Sequence, residues 1–357
     1  MSEPQATGAT FTGLVDLASS LLGSQPVGCS DDYFAEAHRM LQPGRAQFIP
    51  GKYTDRGKWM DGWESRRKRG PGHDYCIIEL GVPGRVQAFD IDTQHFVGNH
   101  PAFASVEGAQ LPPGIPLAQL QNAPFYELLG QSPLLPGSQN LFVAATPNPQ
   151  LPGAVVTHLR LNIFPDGGVA RFRAYGQVAT AFQSTSSPQQ PALDEVESAQ
   201  VPLGLVDLAA LRNGGTALAC SDAHFGGMNH LLLPGRAENM GSGWETRRRR
   251  GPGYDWILIR LAARGVPRVI EVDTHHFKGN FPDRCSIETI DAAGARPTDL
   301  IASRDFHLLL PETRLYADQR HFFRSELRAP APATHLRLNI FPDGGVSRLR
   351  VWSEIIV

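Results

Sequence analysis

Residues 157–169 read T-H-L-R-L-N-I-F-P-D-G-G-V, and residues 334–346 repeat the same thirteen letters. A chain that carries such a stretch twice must build one local structure twice. The identity includes His158, Arg160 and Asn162, which a purely apolar core would not require. Further blocks recur in the same order. L-V-D-L-A at 14–18 returns at 205–209, C-S-D at 29–31 returns at 220–222, and P-G-R-A at 43–46 returns at 234–237. G-W-E-S-R-R-K-R-G-P-G at 62–72 matches G-W-E-T-R-R-R-R-G-P-G at 243–253, and D-I-D-T-Q-H-F-V-G-N at 90–99 matches E-V-D-T-H-H-F-K-G-N at 271–280. The first copy has ten more residues between Ala46 and Gly62 than the second has between Ala237 and Gly243 (15 against 5).

Repeats of roughly 160 residues are domain-sized, not solenoid-sized. We read a tail at 1–13, a first repeat at 14–179, a linker at 180–200 and a second repeat at 201–357. The linker reading rests on the polar, proline-containing S-T-S-S-P-Q-Q-P at 184–191. Leu159, Leu161 and Ile163 alternate with His158, Arg160 and Asn162, the period of a half-buried strand. P-D-G-G supplies a turn, and V-A-R-F-R-A-Y alternates again, which predicts a β-hairpin. His158, Arg160 and Asn162, with His335, Arg337 and Asn339, then lie on its polar face, lining a cleft or pairing with acidic neighbours. V-Q-A-F-D-I-D-T-Q-H-F places Phe89, Ile91, Thr93 and His95 on one strand face and Asp90, Asp92 and Gln94 on the other. Y-C-I-I-E-L and W-I-L-I-R-L read as buried strands, and residues 14–22 as a short helix. With 36 Gly and 29 Pro, the pattern is all-β: two tandem jelly-roll β-sandwiches.

Net charge is -2, so no global field favours nucleic acid or an anionic membrane. The four cysteines lack C-x-x-C spacing and read as reduced thiols. The N-terminus lacks a secretory pattern, and no apolar run approaches the ~18 residues of a membrane span. A cytoplasmic protein is therefore expected.

Chemistry is sought in the repeated polar residues. The basic run after Trp-Glu is, at its plainest, a solvated charge cluster or a nucleic-acid patch. Beside a Gly-Pro-Gly turn, however, a fixed guanidinium suits a bidentate grip on a carboxylate, which makes Arg66, Arg67, Arg247 and Arg248 candidates. Glu64 and Glu245 either hold an arginine or transfer protons. Asp92, His95 and Asn99, with Asp273, His276 and Asn280, cluster where a strand ends at a Gly-Asn turn. His95 and His276 are either buried structural residues on the core face or acid–base groups opening onto a cleft. His275 and His276 are adjacent, but strand neighbours point to opposite faces and do not easily share one ion. No metal motif stands out, no cofactor is evident, and a divalent metal is left open. Neither a Walker loop, a Rossmann glycine pattern nor a G-x-S-x-G elbow is present.

F-I-P-G-K-Y-T-D-R-G-K-W-M-D-G-W-E-S-R-R-K-R at 48–69 and N-M-G-S-G-W-E-T-R-R-R-R at 239–250 resemble the allantoicase family, as do both D-T-x-H-F-x-G-N and both H-L-R-L-N-I-F-P-D-G-G segments. The resemblance runs from about Leu14 to Val357. It implies two galactose-binding-like jelly-roll repeats and the conversion of allantoate and water to ureidoglycolate and urea in purine degradation. On that substrate an arginine, with Arg160 and Arg337 added to the candidates, would clamp the carboxylate, and Asn and Asp would read the ureido groups. Asp92 with His95, or Asp273 with His276, would supply the acid–base pair. The expected partners are allantoate and further copies of the chain, without nucleic acid or membrane. The competing classes are a non-catalytic module for small anions or sugars and an RNA binder using the basic runs. Urea release from allantoate separates the enzyme from both.

Overall fold

The computed structural model describes residues 14–145, 155–179 and 193–356. The expected tail and the S-T-S-S-P-Q-Q-P stretch lie outside them. The described chain forms two compact units, one holding residues 15–179 and the other 193–356. Each is built on an eight-stranded sheet, so the chain is all-β and duplicated. Within the stretch read as linker, Glu195–Gln200 is a short helix with a reciprocal cap. Asp194 accepts from the Glu197 N–H, and the Glu197 carboxylate accepts from the Asp194 N–H. No helix among the described residues is long and apolar enough to cross a membrane.

One nineteen-residue strand organises each unit, Asp74–Asp92 in the first and Asp255–Asp273 in the second. The first half of Asp74–Asp92 pairs with Val156–Phe164 and Gln25–Cys29. Its second half pairs with Arg171–Val178 and Leu141–Val143. The strand thus belongs to two layers and bends between them, closing a sandwich from one continuous sheet. The bend falls at Gly84, where a Cβ would sit 2.4 Å from Leu17 Cδ1, and at Gly265, where it would sit 2.5 Å from Leu208 Cδ1. Glycine lets the L-V-D-L-A segment close over the bend. That segment is not the expected helix. Val15–Asp16 pairs with the edge of Arg171–Val178, and Ser20–Leu22 makes one 3-10 turn. The Asp16 carboxylate accepts from both the Ala18 and Ala174 N–H groups, which ties the chain to the sheet.

Leu159, Leu161, Ile163, Phe89, Ile91 and Phe172 are fully buried. Side chains of this size each stabilise the fold by roughly 1.5–3 kcal/mol. The polar residues between them are covered as well. The side of the strand that holds His158 and Asn162 lies under the segment containing helix Leu117–Asn122, whose Leu120 carbonyl accepts from Arg160 at 3.4 Å. Thr157 Oγ1 ties that segment down through the Leu111 N–H, and Asn162 donates to Ser105 and Glu107. The second repeat makes the same bonds from Thr334 and Asn339. Burial depresses the pKa of His158, and burial together with Arg260 takes His335 down to about 4. Of the repeated polar letters, Thr157 and Asn162, with Thr334 and Asn339, therefore serve to bond the covering segment and the neighbouring strand.

The expected hairpin does not form. Val156–Phe164 and Arg171–Val178 both pair with the long strand, at its opposite halves. Between them, Gly168–Val169 leaves the sheet to pair with Trp63–Glu64. P-D-G-G is thus a crossing from one layer to the other, as it is again at Gly345–Val346 with Trp244–Glu245.

Candidate functional site

That crossing builds a cleft. Trp63 is fully buried and donates its indole N–H to the Asp31 carbonyl at 2.8 Å, so its strand neighbour Glu64 faces the other way. Asn99, at the end of D-T-Q-H-F-V-G-N, donates to Glu64 Oε1 at 2.6 Å. Gly168 N–H donates to the Asn99 carbonyl at 2.8 Å. Gly167 has φ 137°, and a Cβ there would lie 2.7 Å from the Asn99 carbonyl oxygen. Both the backbone sign and the close approach require glycine. The cleft encloses about 560 Å³ between Phe34, Glu64, Arg67, Asn99, His100 and Asp166. The second repeat has its counterpart, about 540 Å³ between Phe225, Glu245, Arg248, Asn280, Phe281 and Asp343. There Asn280 donates to Glu245 at 2.5 Å. Burial pushes the Glu64 carboxyl above the usual glutamate range, and the Asn99 hydrogen bond pulls it part of the way back.

The basic runs divide by position. Arg66 is bound to Asp31 through its Nε and Nη2, both at 2.6 Å, and Lys68 to Asp74 at 2.8 Å. In the second repeat Arg247 binds Asp222 at 3.1 Å, and Arg249 binds Asp255. Arg67 and Arg248, exposed in the clefts, have neither an ion-pair nor a hydrogen-bond partner among the described residues. Each cleft thus presents an uncommitted guanidinium beside a Glu–Asn pair, and Arg69, at the edge of the first cleft, adds a second one there.

The other candidates lie elsewhere. The long strands end at Asp92 and Asp273, and the chain turns there: Asp92 Oδ1 accepts from the Gln94 N–H, and Phe96 N–H donates to Thr93 O. His95 and His276 therefore do not continue the core face. They adopt φ 71° and 70° and are half-buried, while the next residues, Phe96 and Phe277, fill the interior. His95 Nε2 meets the Ala46 carbonyl at 3.2 Å, and His276 Nε2 meets Ala237 at 2.9 Å. Asp92 and Asp273 are buried against Arg45 and Arg236. None of these four residues lines the Glu–Asn clefts. In this turn the His275 and His276 rings come within 4.0 Å, contrary to the opposed faces of a strand, but His275 pairs with Asp318 at 2.9 Å while His276 turns to Ala237. Among the described residues no three His, Cys, Asp or Glu side chains converge to hold a metal ion. Arg160 lines a separate groove with Tyr75, Glu107 and Asn162, and stacks on Phe125 at 4.0 Å. Arg337 stacks on Phe306 at 4.1 Å and donates to the Leu300 carbonyl. The clefts also contain residues that the sequence reading passed over. Asp166 and Asp343 stood in the repeated P-D-G-G, whereas His100 and Phe281, at matching positions, differ and carried no signal.

A family model described as the allantoicase repeat matches residues 15–179 and 206–356. A probable allantoicase of Burkholderia mallei is 47% identical over 99% of this chain and 98% of its own length. A probable allantoicase of Acinetobacter baylyi is 46% identical over 96% and 95%. The crystal structure of allantoicase from Saccharomyces cerevisiae superposes with a TM-score of 0.75 at 34% identity, covering 95% of this chain and 93% of that one.

Proposed function

This chain belongs to the allantoicase family, and we propose that its two Glu–Asn–Arg clefts are where it splits allantoate. The enzyme converts allantoate and water to ureidoglycolate and urea in purine degradation. The substrate carries one carboxylate and two ureido groups on a single carbon. Cleavage breaks the bond from that carbon to one ureido nitrogen. The nitrogen takes up a proton and departs as urea, while the oxygen of water becomes the new hydroxyl and gives up a proton.

The observation that carries this reading is the recurrence of an unpaired arginine beside a hydrogen-bonded Glu–Asn pair in both repeats. Arg67 and Arg248 are the carboxylate clamps, because a free guanidinium fork matches a carboxylate edge. Asn99 and Asn280 commit an amide N–H to the glutamate, which leaves their carbonyl oxygen to accept a ureido N–H. Glu64 and Glu245 carry the proton. Burial lets the Glu64 carboxyl hold its proton at higher pH, which suits it to protonate a leaving nitrogen.

The test is urea release from allantoate by the full chain and by Arg67→Lys/Arg248→Lys. Lysine keeps the charge and loses the fork. KM should rise by about tenfold or more, with a smaller fall in kcat, as for a contact equally strong in ground and transition states. Wild-type kinetics in this double variant would remove these arginines from the clamp.

A further inference from the structure

The arginine strips, residues 65–69 and 246–250, belong to no strand or helix. No backbone ladder dictates which of their side chains face the cleft. One backbone carbonyl and two carboxylates from distant parts of the chain take its place. Ser65 N–H donates to Gly167 O, Arg66 N–H to Asp31 Oδ1 at 3.0 Å, and Lys68 N–H to Asp166 Oδ2 at 2.8 Å. The second repeat copies the pattern: Thr246 N–H to Gly344 O, Arg247 N–H to Asp222 Oδ2 at 2.6 Å, and Arg249 N–H to Asp343 Oδ2 at 2.8 Å. Asp31 and Asp222 also grip the side chain whose N–H they accept, so they fix both the backbone and the direction of residues 66 and 247.

We propose that Asp31 and Asp222 are positioning residues of the reaction: each commits Arg66 or Arg247 to an ion pair and thereby leaves Arg67 or Arg248 as the unpaired guanidinium presented to the cleft. The inference rests on the reading of those arginines as the carboxylate clamp. Three observations carry it. Neither aspartate lines its Glu–Asn cleft, and Asp222 borders the adjoining groove behind Arg248. Each is itself held rigidly, because its carbonyl takes the indole N–H of the buried Trp63 or Trp244 at 2.8 Å. The residue before each completes the lock, since Ser30 and Ser221 donate at 2.9 Å to Asp74 and Asp255, the carboxylates that hold Lys68 and Arg249. In the first repeat Asp31 also accepts from the Tyr33 N–H at 3.1 Å and so joins the Phe34 wall to the strip. This gives the repeated C-S-D motif its role. Burial raises the Asp31 and Asp222 carboxyls, but the arginine hydrogen bonds outweigh it and hold both below the usual range, so the lock is charged at neutral pH.

The experiment is Asp31→Asn/Asp222→Asn in the full chain, with both sites altered so that one repeat cannot mask the other. KM for allantoate should rise by about tenfold or more while kcat stays within about threefold. Amide hydrogen exchange at Arg66 and Arg247 should accelerate, a readout independent of turnover. Arg247→Gln breaks the same lock at a side chain outside its cleft, and added to Arg67→Ala it should raise KM above that of Arg67→Ala alone if the aspartate variant folds poorly. A wild-type chain that releases no urea defeats the functional reading before any variant is made. Wild-type turnover with an unchanged KM in the folded variants overturns the positioning role alone.

Discussion

At the scale of single residues, Glu64 combines partial burial with a single amide donor, Asn99. Its folded-state pKa lies above its unfolded value. Its contribution to stability is therefore complete below the unfolded pKa and is lost as pH rises through the folded one. Glu64→Gln is neutral at every pH. Its melting temperature should match that of wild type in acid and exceed it once pH passes the folded pKa of Glu64. A difference that stays constant from acid to neutral pH would show that burial does not strain the carboxylate. Glutamine can still accept from Asn99 but cannot deliver a proton. Urea release by Glu64→Gln/Glu245→Gln should therefore fall by about 10²-fold or more, mainly in kcat.

Among the elements, the P-D-G-G crossing decides the shape of the site. Alternation on both sides of a Gly-containing turn reads as a hairpin, yet the two flanking strands join opposite halves of one bent strand. The crossing then forms the cleft floor against the Asn99 loop. Gly167→Ala should cost about 1–3 kcal/mol, because a Cβ meets the Asn99 carbonyl and φ 137° is strained for alanine. Gly70→Ala is the matched control, since nothing lies within 4 Å of its added Cβ. Chemical denaturation that gives equal stability for the two variants would contradict the close packing of the crossing. Gly344, at φ 139° and 2.7 Å from Asn280 O, should behave as Gly167 does.

For the molecule as a whole, duplication supplies two clefts of similar volume and the same Glu, Asn and Arg. Ureidoacetate retains a carboxylate and one ureido group on one carbon and lacks the second ureido group that leaves as urea. Calorimetric titration should find two ureidoacetate sites per chain, falling to one in Arg67→Ala and one in Arg248→Ala. One site per wild-type chain would show that only one repeat binds. The clefts differ in their lining, with His100 in the first against Phe281 in the second. Unequal affinities are therefore expected, and two-site titration curves measure them.

By itself, the sequence determined the duplication, the all-β class and the motifs from which the clefts are built. All three are written in local order: blocks repeated in sequence, apolar letters at period two, and Trp-Glu followed by a basic run. Period two remains informative only while the chain stays in a ladder. At Asp92 the ladder ends, so extrapolating it misplaced His95, whose direction follows from a turn held by Asp92 and Thr93. Within R-R-K-R the letters are nearly equivalent, and no local rule separates Arg66 from Arg67. Tertiary structure separates them, because Asp31 and Asp166 reach the strip from 35 and 98 residues away and bind every second residue. The polar face of Val156–Phe164 was legible as polar but not as buried, since the segment that covers it is distant in sequence and is held by hydrogen bonds the strand pattern does not encode. Which like residue is left free for a ligand was thus decided by long-range partners, whose identity a linear pattern does not contain.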